Sequence, residues 1–432
     1  MRVFSSAIRL STLAKGVVSP DAFWIASERI VSSALNIVTI VVIARFLGVV
    51  DYGHYAFGIT LLGVSLAFGH LGLDGLLIKR IIEDNSISGT LLGSVAVAKY
   101  LIYLPLFVVA LTPSLVIDLG PAGTHFVQAL APILLVTPLS SAMICWLNSQ
   151  SEFRKVSLAR ITAVVVGTVG KVAIIAVGFG IQAVGIGHSL IFFVEALVLT
   201  HLVWMLRGPL PNAWTFDKSV LKGLLTAAYP LFLASLFAMV YISIDVIALR
   251  FLASPRTVGE YALVPQIIQA FQILPYAITL AAFPSLITDS ARDSKTFLVN
   301  SAKIGRRLAF LGLVMSLILF GIAPSAIILV LGAEYAVTSS LIQVGALCLP
   351  FAYLRQLTTK VFICLNRGKT LAIVELVGLI SALLLNLSLI PLYGAFGAAL
   401  SVVLTYALTV FLALGSLGLL KPIFGWHGPR DA

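Results

Sequence analysis

The chain has 432 residues, of which 60% are hydrophobic and 10% charged, and its formal net charge is +11. Soluble domains carry about 25% charged residues, so this composition excludes a water-soluble globular protein and indicates an integral membrane protein. The positive charge is then a signal of membrane topology rather than of nucleic-acid binding. The three cysteines lie in apolar stretches, which predicts neither a disulfide framework nor a metal site.

Twelve apolar stretches are long enough to cross a bilayer, for which about 20 residues are needed. They are predicted at residues 22–46, 53–77, 90–111, 126–147, 159–179, 182–205, 223–249, 258–286, 306–331, 339–365, 369–391 and 394–418. Before them, residues 1–21 alternate cations with apolar residues, which predicts a helix lying on the membrane surface. A polar, proline-rich linker at 207–222 separates two predicted six-helix bundles, 22–206 and 223–418, and residues 419–432 form a tail.

A motif that follows the first predicted span recurs after the seventh. Arg-Phe-Leu at 45–47 precedes Gly-x-Tyr-Ala at 53–56, and the same residue types stand at 250–252 and 259–262. Two further anchors support an internal repeat, namely Leu147-Asn148 with Leu365-Asn366, and Gly185 with Gly397. Because each half should cross the membrane an even number of times, the halves are predicted to be parallel repeats in an all-α membrane protein.

The cations of the loops predict the orientation. One side of the membrane, including both termini, holds 20 lysines and arginines, and the other side holds 3, namely Arg45, Arg250 and Arg256. Cytoplasmic loops carry the excess of Lys and Arg, so both termini are predicted to be cytoplasmic. The remaining 5 of the 28 cations fall inside spans.

Several sites of chemistry are absent from the sequence. There is no Gly-rich loop for ATP phosphates and no metal motif such as Asp-x-Asp or His-Glu-x-x-His. We therefore predict no cofactor and no catalytic residues, and we expect transport to use an ion gradient, the membrane potential or the gradient of the substrate. The predicted outer loops are short, which argues against a membrane-embedded polymerase or scaffold.

The repeated motif resembles the opening of a known family. Ala44-Arg45-x-Leu47-Gly48 followed by Tyr52-Gly53-x-Tyr55 is similar to the Wzx-type polysaccharide-biosynthesis flippases of the multidrug/oligosaccharidyl-lipid/polysaccharide superfamily. The other matching positions are Tyr229-Pro230, Asp245, Gly259-x-Tyr261-Ala262, Pro284 and the stretch 390–399.

This resemblance implies a transporter that flips undecaprenyl-diphosphate-linked oligosaccharide across a bacterial inner membrane, in lipopolysaccharide, capsule or exopolysaccharide synthesis. It also implies two bundles that rock about a central cavity. The implied partners are the lipid-linked oligosaccharide, membrane lipids, and the polymerase and chain-length proteins of the same pathway, with no nucleic acid.

Charged residues inside predicted spans are the candidate functional residues, because a charge at bilayer depth costs at least about 2.5–3.5 kcal/mol. Five cations are predicted to line the cavity and offset the charge of the diphosphate: Arg29, Lys99, Lys171, Arg355 and Lys360. Four acids are candidates for ion coupling: Asp245, Glu28, Glu195 and Glu375. Asp245 stands out because its repeat mate is Ile40.

Structural roles are the alternative for these charges. Arg29 and Lys360 lie near predicted span ends, from which their side chains can reach the headgroups, and Asp245 could form a salt bridge with a cavity cation or with Arg250. A second function also stays open. A cation-coupled multidrug exporter would have the same fold, with an acidic and aromatic cavity.

Overall fold

The computed structural model describes residues 20–70, 72–205 and 214–425, and every regular element in these ranges is helical. The surface helix predicted at 1–21 lies almost entirely outside the described residues, as does much of the predicted linker. The helices are α1 Pro20–His70, α2 Asp74–Glu83, α3 Ser88–Leu111, α4 Gly120–Leu130, α5 Pro132–Ser149, α6 Phe153–Ala176, α7 Ile181–Met205, α8 Lys218–Leu252, α9 Pro255–Phe271, α10 Ile273–Arg292, α11 Ser294–Leu331, α12 Ala336–Ala346, α13 Leu349–Cys364, α14 Gly368–Tyr393, α15 Ala395–Ser416 and α16 Leu420–Phe424.

The helices account for the twelve predicted spans. Ten helical runs among the described residues are long and apolar enough to cross a membrane, and an eleventh is the bent pair that includes α12 and α13. The first run, Phe23–Glu83, includes α1, which is broken at Gly48 with φ 69° and ψ 173°. A straight helix of 51 residues would be about 77 Å long, more than twice the hydrocarbon core. The run therefore makes two crossings, which gives twelve.

The repeat is visible in the pattern of burial along α6 and α14. In α6 the buried residues include Val156, Ser157, Ala159, Ala163, Gly167, Lys171 and Ile175. Moving each by 215 residues gives Leu371, Ala372, Val374, Gly378, Ala382, Asn386 and Ile390, all buried in α14. The two helices therefore occupy equivalent places in the two halves, and the prediction of an all-α protein built from two repeated six-helix bundles is confirmed.

Two of the anchors chosen from the sequence are wrong in register. The turns before α6 and α14 share the same backbone bonds, since the amides of Glu152 and Arg367 each donate to a carbonyl five residues earlier, at 2.9 Å. Ser151 and Asn366 both have positive φ there, 63° and 53°, so Asn366 corresponds to Ser151 and not to Asn148.

The second wrong anchor is the pair Gly185 and Gly397. Helices α7 and α15 start 214 residues apart, and this offset pairs Gly185 with Ala399, both of them buried. Residue type pairs Gly185 with Gly397, whereas the burial of each position sets the register.

The turns between helices lie at two ends of the molecule, which we call distal and proximal. The distal end contains Gly48 and the turns that precede α4, α7, α9, α12 and α15, and the proximal end contains the turns that precede α3, α6, α11 and α14. The proximal end is the one that the loop cations predict to be cytoplasmic.

The repeated glycines Gly53 and Gly259 bring the two halves together near the distal end. A Cβ atom on Gly53 would clash with the Pro255 carbonyl oxygen and lie 3.0 Å from the Gly259 nitrogen. A Cβ atom on Gly259 would clash with the Val49 carbonyl oxygen and lie 3.1 Å from the Gly53 nitrogen. Each glycine thus permits a backbone-to-backbone contact that any side chain would prevent.

The repeated arginines form a second reciprocal contact at the distal end. Arg45, in the N-terminal half, donates from Nη1 to the Val330 carbonyl of the other half at 3.2 Å. Arg250, in the C-terminal half, donates from Nη2 to the Asp118 carbonyl at 2.9 Å. A further bond joins the halves where the Tyr52 hydroxyl donates to Gln266 Oε1 at 2.9 Å. Equivalent residues of the two repeats therefore hold the two halves together at the distal end.

Toward the proximal end the halves meet through both side-chain and backbone contacts. The Arg29 guanidinium lies 5.4 Å from the centre of the Tyr276 ring. A Cβ on Gly72 would come 3.1 Å from the Phe232 nitrogen and Cα. The closest reciprocal backbone contact thus lies at the distal end, which makes this a distally closed state.

We predict that Gly53→Ala and Gly259→Ala each shift the protein away from distal closure, because the added methyl group meets a carbonyl oxygen of the other half. The readout is a cysteine at Gln269, which lines a cavity bounded by both halves, introduced after the three natural cysteines are replaced. An impermeant thiol reagent supplied on the distal side should label it faster in both variants.

Gly321→Ala is the matched control, since a methyl group there enters open space in α11. It should leave the labelling rate unchanged. Equal labelling in Gly53→Ala, Gly259→Ala and the control would show that the glycines do not set closure.

Candidate functional site

A polar cavity of about 310 Å³ lies beside the distal contact. The N-terminal half contributes a wall from α1, including Thr60 and Gly63, and the rest comes from α8, α9, α14 and α15. The polar residues on its wall are Thr60, Tyr241, Ser243, Asp245, Tyr261, Gln266, Gln269, Gln272, Asn386, Ser401, Thr405 and Tyr406. No lysine or arginine lines this cavity among the described residues, and Asp245 supplies its carboxylate.

Asp245 is buried, with 1% of its surface exposed. One carboxylate oxygen accepts a short hydrogen bond from the Tyr261 hydroxyl, and the other accepts one from the Val246 amide at 2.8 Å. It forms no ion pair among the described residues. The alternative of a salt bridge to Arg250 is wrong, because that guanidinium reaches across to the Asp118 carbonyl instead.

Four buried polar atoms on the cavity wall have no hydrogen-bond partner within the described part of the chain. They are the Tyr241 hydroxyl, Asn386 Oδ1, the Ser401 hydroxyl and Thr405 Oγ1. A buried polar group without a partner is costly, and such a group often indicates a water molecule or an ion. Like the Asp245 carboxylate, these atoms are hard oxygen ligands on the wall of one cavity, of the kind that a small cation prefers.

Arg355 and Glu375 form an ion pair close behind the cavity wall. Arg355 Nη2 donates to both carboxylate oxygens of Glu375, each at 3.0 Å. Its guanidinium also lies 4.9 Å from the ring centre of Tyr241 and 5.8 Å from that of Tyr406, and both tyrosines line the cavity. The pair holds two walls of the cavity in place, and the charge of Arg355 is already balanced.

Lys99 is also paired, with an acid that the sequence analysis overlooked. Its Nζ donates to Asp74 Oδ1 at 2.7 Å and to the Ser141 hydroxyl. The other Asp74 oxygen lies 3.3 Å from His70 Nδ1. Asp74 lies inside the predicted span 53–77, so the same test of charge within a span would have found it. His70 and Asp74 border a second cavity, of about 380 Å³, which also touches Ser235 of the other half.

The other candidates are dispersed. Arg29 contacts Tyr276, as described above, and Lys360 Nζ lies 5.0 Å from the centre of the Phe283 ring. Glu195 accepts from Arg160 Nε at 3.3 Å, and Glu28 accepts from the Ser32 hydroxyl at 3.3 Å.

Lys171 is 3% exposed and has no ion pair among the described residues. None of the five predicted cations lines the cavity that contains Asp245, and their role in binding cargo stays a prediction.

Known proteins share the sequence pattern and the fold. The family model described as "Polysaccharide biosynthesis protein" matches residues 18–288. A curated relative, "Probable flippase AglR" of Haloferax volcanii, is 24% identical over 386 residues, covering 85% of this chain and 77% of that protein.

Two solved structures have the same fold. One is a "Lipid II flippase MurJ, inward closed conformation", with TM-score 0.74 and 17% identity, over 92% of this chain and 89% of that one. The other is an inward-facing multidrug resistance MATE family transporter of the MOP superfamily, with TM-score 0.71 and 14% identity, over 96% and 99%.

We predict that Arg355 and Glu375 stabilise the fold as a pair. Arg355→Met or Glu375→Gln should each lower the free energy of unfolding by about 3–5 kcal/mol, because the remaining partner is left buried and uncompensated. Arg355→Met with Glu375→Leu should recover most of that loss. Unfolding in detergent measures all three variants.

The pair of Arg256 and Glu260, 3.2 Å apart and with an exposed Arg256 side chain, is the control. Its single and double neutral variants should change stability by no more than about 1 kcal/mol. Single Arg355 variants as stable as the wild type would contradict a structural role and leave Arg355 available to cargo.

Proposed function

The chain belongs to the polysaccharide biosynthesis protein family, and from this we propose that it is a flippase for lipid-linked oligosaccharide. Its cargo would be an undecaprenyl-diphosphate-linked oligosaccharide unit, moved from the cytoplasmic to the outer leaflet of a bacterial inner membrane for O-antigen, capsule or exopolysaccharide synthesis. The family match carries this proposal, and the curated relative, named as a probable flippase, supports it. We propose a transporter, with no catalytic step.

Transport would proceed by alternating access of the two halves. In the distally closed state, the cargo headgroup would enter between the halves from the proximal side, with its polyprenyl chain left in the lipid. Separation of Gly53 from Gly259, and of Arg45 and Arg250 from their carbonyl partners, would then open the distal side. The two halves resemble the rocking repeats of secondary transporters. Polymerase and chain-length proteins are the proposed partners that receive the product.

Directionality would come from a cation that binds at Asp245. Asp245 accepts a hydrogen bond from Tyr261, and Tyr261 lies two residues after Gly259 on α9. A proton or metal cation on the carboxylate changes what Tyr261 can bond to, and that change acts on the helix that carries the distal contact. The unpartnered oxygens of Asn386, Ser401 and Thr405 would complete the cation site.

A cation-coupled drug exporter is the second candidate, and one observation favours it. The cavity is acidic and aromatic, with Asp245 beside Tyr241, Tyr261 and Tyr406. Its volume of about 310 Å³ lies at the small end of the range for drug-sized ligands. The family match favours the flippase, and the cavity is then assigned to the coupling ion.

We predict that Asp245→Asn uncouples the transporter without stopping it. In proteoliposomes with fluorescent lipid-linked oligosaccharide in one leaflet, wild-type flipping should accelerate when a sodium or proton gradient is imposed. Asp245→Asn should flip the cargo down its own gradient and lose the acceleration, because the amide carries no charge for the cation to balance.

Glu260→Gln is the matched control, since Glu260 adjoins Tyr261 in the chain but pairs with Arg256 outside the cavity. It should keep the full acceleration. Transport of a cationic amphipathic dye, with no flipping of lipid-linked cargo by the wild type, would overturn the flippase proposal and favour the exporter.

A further inference from the structure

Lys171 occupies the place in the N-terminal half that Asn386 occupies in the C-terminal half. The offset of 215 residues that aligns the buried positions of α6 and α14 pairs these two residues, and both are buried. Asn386 lines the polar cavity, and its Oδ1 has no partner in the described part of the chain. The repeat therefore places a lysine where the other half has, on the cavity wall, an amide oxygen without a partner among the described residues.

Helices α7 and α15 also differ at a position that lines the cavity in the C-terminal half. Helices α7 and α15 align at an offset of 214, which pairs Gly187 with Ser401, and both are buried. Ser401 faces the cavity. At Gly187, by contrast, a Cβ would lie 2.8 Å from Lys171 Cγ. The aliphatic stem of Lys171 thus fills the space in front of Gly187, and a serine there would collide with it.

The third polar residue of the cavity, Asp245, is also replaced in the N-terminal half. Asp245 has Ile40 as its repeat mate, and Ile40 is buried. The N-terminal half thus lacks the carboxylate and gains a lysine, whose side chain is 3% exposed. Lys171 has no ion pair among the residues that the structure describes, although a buried charge in a span is normally paired.

We propose that Lys171 closes the N-terminal copy of the cation site, so that the transporter exchanges a single cation per chain, through Asp245. The stem fills the position that the polar cavity takes in the other half, and the ammonium repels a second cation. This inference rests on the proposed cation site in the C-terminal half. It assigns Lys171 to ion stoichiometry rather than to cargo.

The test counts cations bound to the full-length protein in lipid nanodiscs. Radioactive sodium in equilibrium dialysis measures sodium, and an indicator dye measures protons taken up or released. Wild type should bind one cation, and Asp245→Asn none. Lys171→Met keeps the bulk of the stem without its charge, and it should still bind one.

The decisive variant gives the N-terminal half the residue types of Asp245, Asn386 and Ser401. It combines Ile40→Asp, Lys171→Asn and Gly187→Ser. It should bind two cations, and one after Asp245→Asn is added. The inference fails if wild type binds two cations or none. It also fails if the triple variant keeps its Asp245 site and binds only one.

If the triple variant does not fold, the wild-type count still decides, because a cation that survives Asp245→Asn would overturn the inference. The flippase proposal is tested separately. One bound cation with no flipping of lipid-linked cargo would refute the flippase and leave the stoichiometry standing. Flipping of lipid-linked cargo with no bound cation would support the flippase and refute the inferred stoichiometry.

Discussion

The contact between Gly53 and Gly259 is the constraint on which the rest of the structure depends. It brings two backbones together at a distance that no side chain allows, and it joins the two copies of one sequence motif. Around it, Arg45 and Arg250 each reach a carbonyl of the opposite half. Both halves supply the same pieces to this contact. Such an interface suits a switch between two states rather than a gradual deformation.

Next to this symmetric contact, the two repeats differ in the residues that line the interior. The cavity, which the C-terminal half lines together with one wall from α1, contains Asp245, and Asp245 bonds to Tyr261 on the helix that carries Gly259. The N-terminal half has Ile40 and Lys171 at the matching positions. A symmetric closure with an asymmetric interior fits the proposed division of tasks, in which the C-terminal half would sense the cation and both halves would form the gate.

The fold was largely predictable from the sequence, because apolar length, loop charge and one repeated motif are local signals. The register of the repeat was not, since matching residue types at Asn148 and Gly185 was a poorer guide than burial. The site was only partly predictable. Asp245 could be selected as an unmatched acid in a span, but its bond to Tyr261 depends on how α8 packs against α9. The pairing of Arg355 with Glu375 likewise needs the packing of α13 against α14.

Two distances measured in the same sample test the account most directly. One pair of spin labels, at Thr112 and Val337, spans the two halves at the distal end, and another, at Glu83 and Ser290, spans them at the proximal end. Pulsed electron paramagnetic resonance should show, on adding lipid-linked cargo and sodium or acid, a second population in which the distal distance lengthens and the proximal one shortens. Distances that both lengthen, or that stay fixed while cargo is flipped, would contradict alternating closure of the halves.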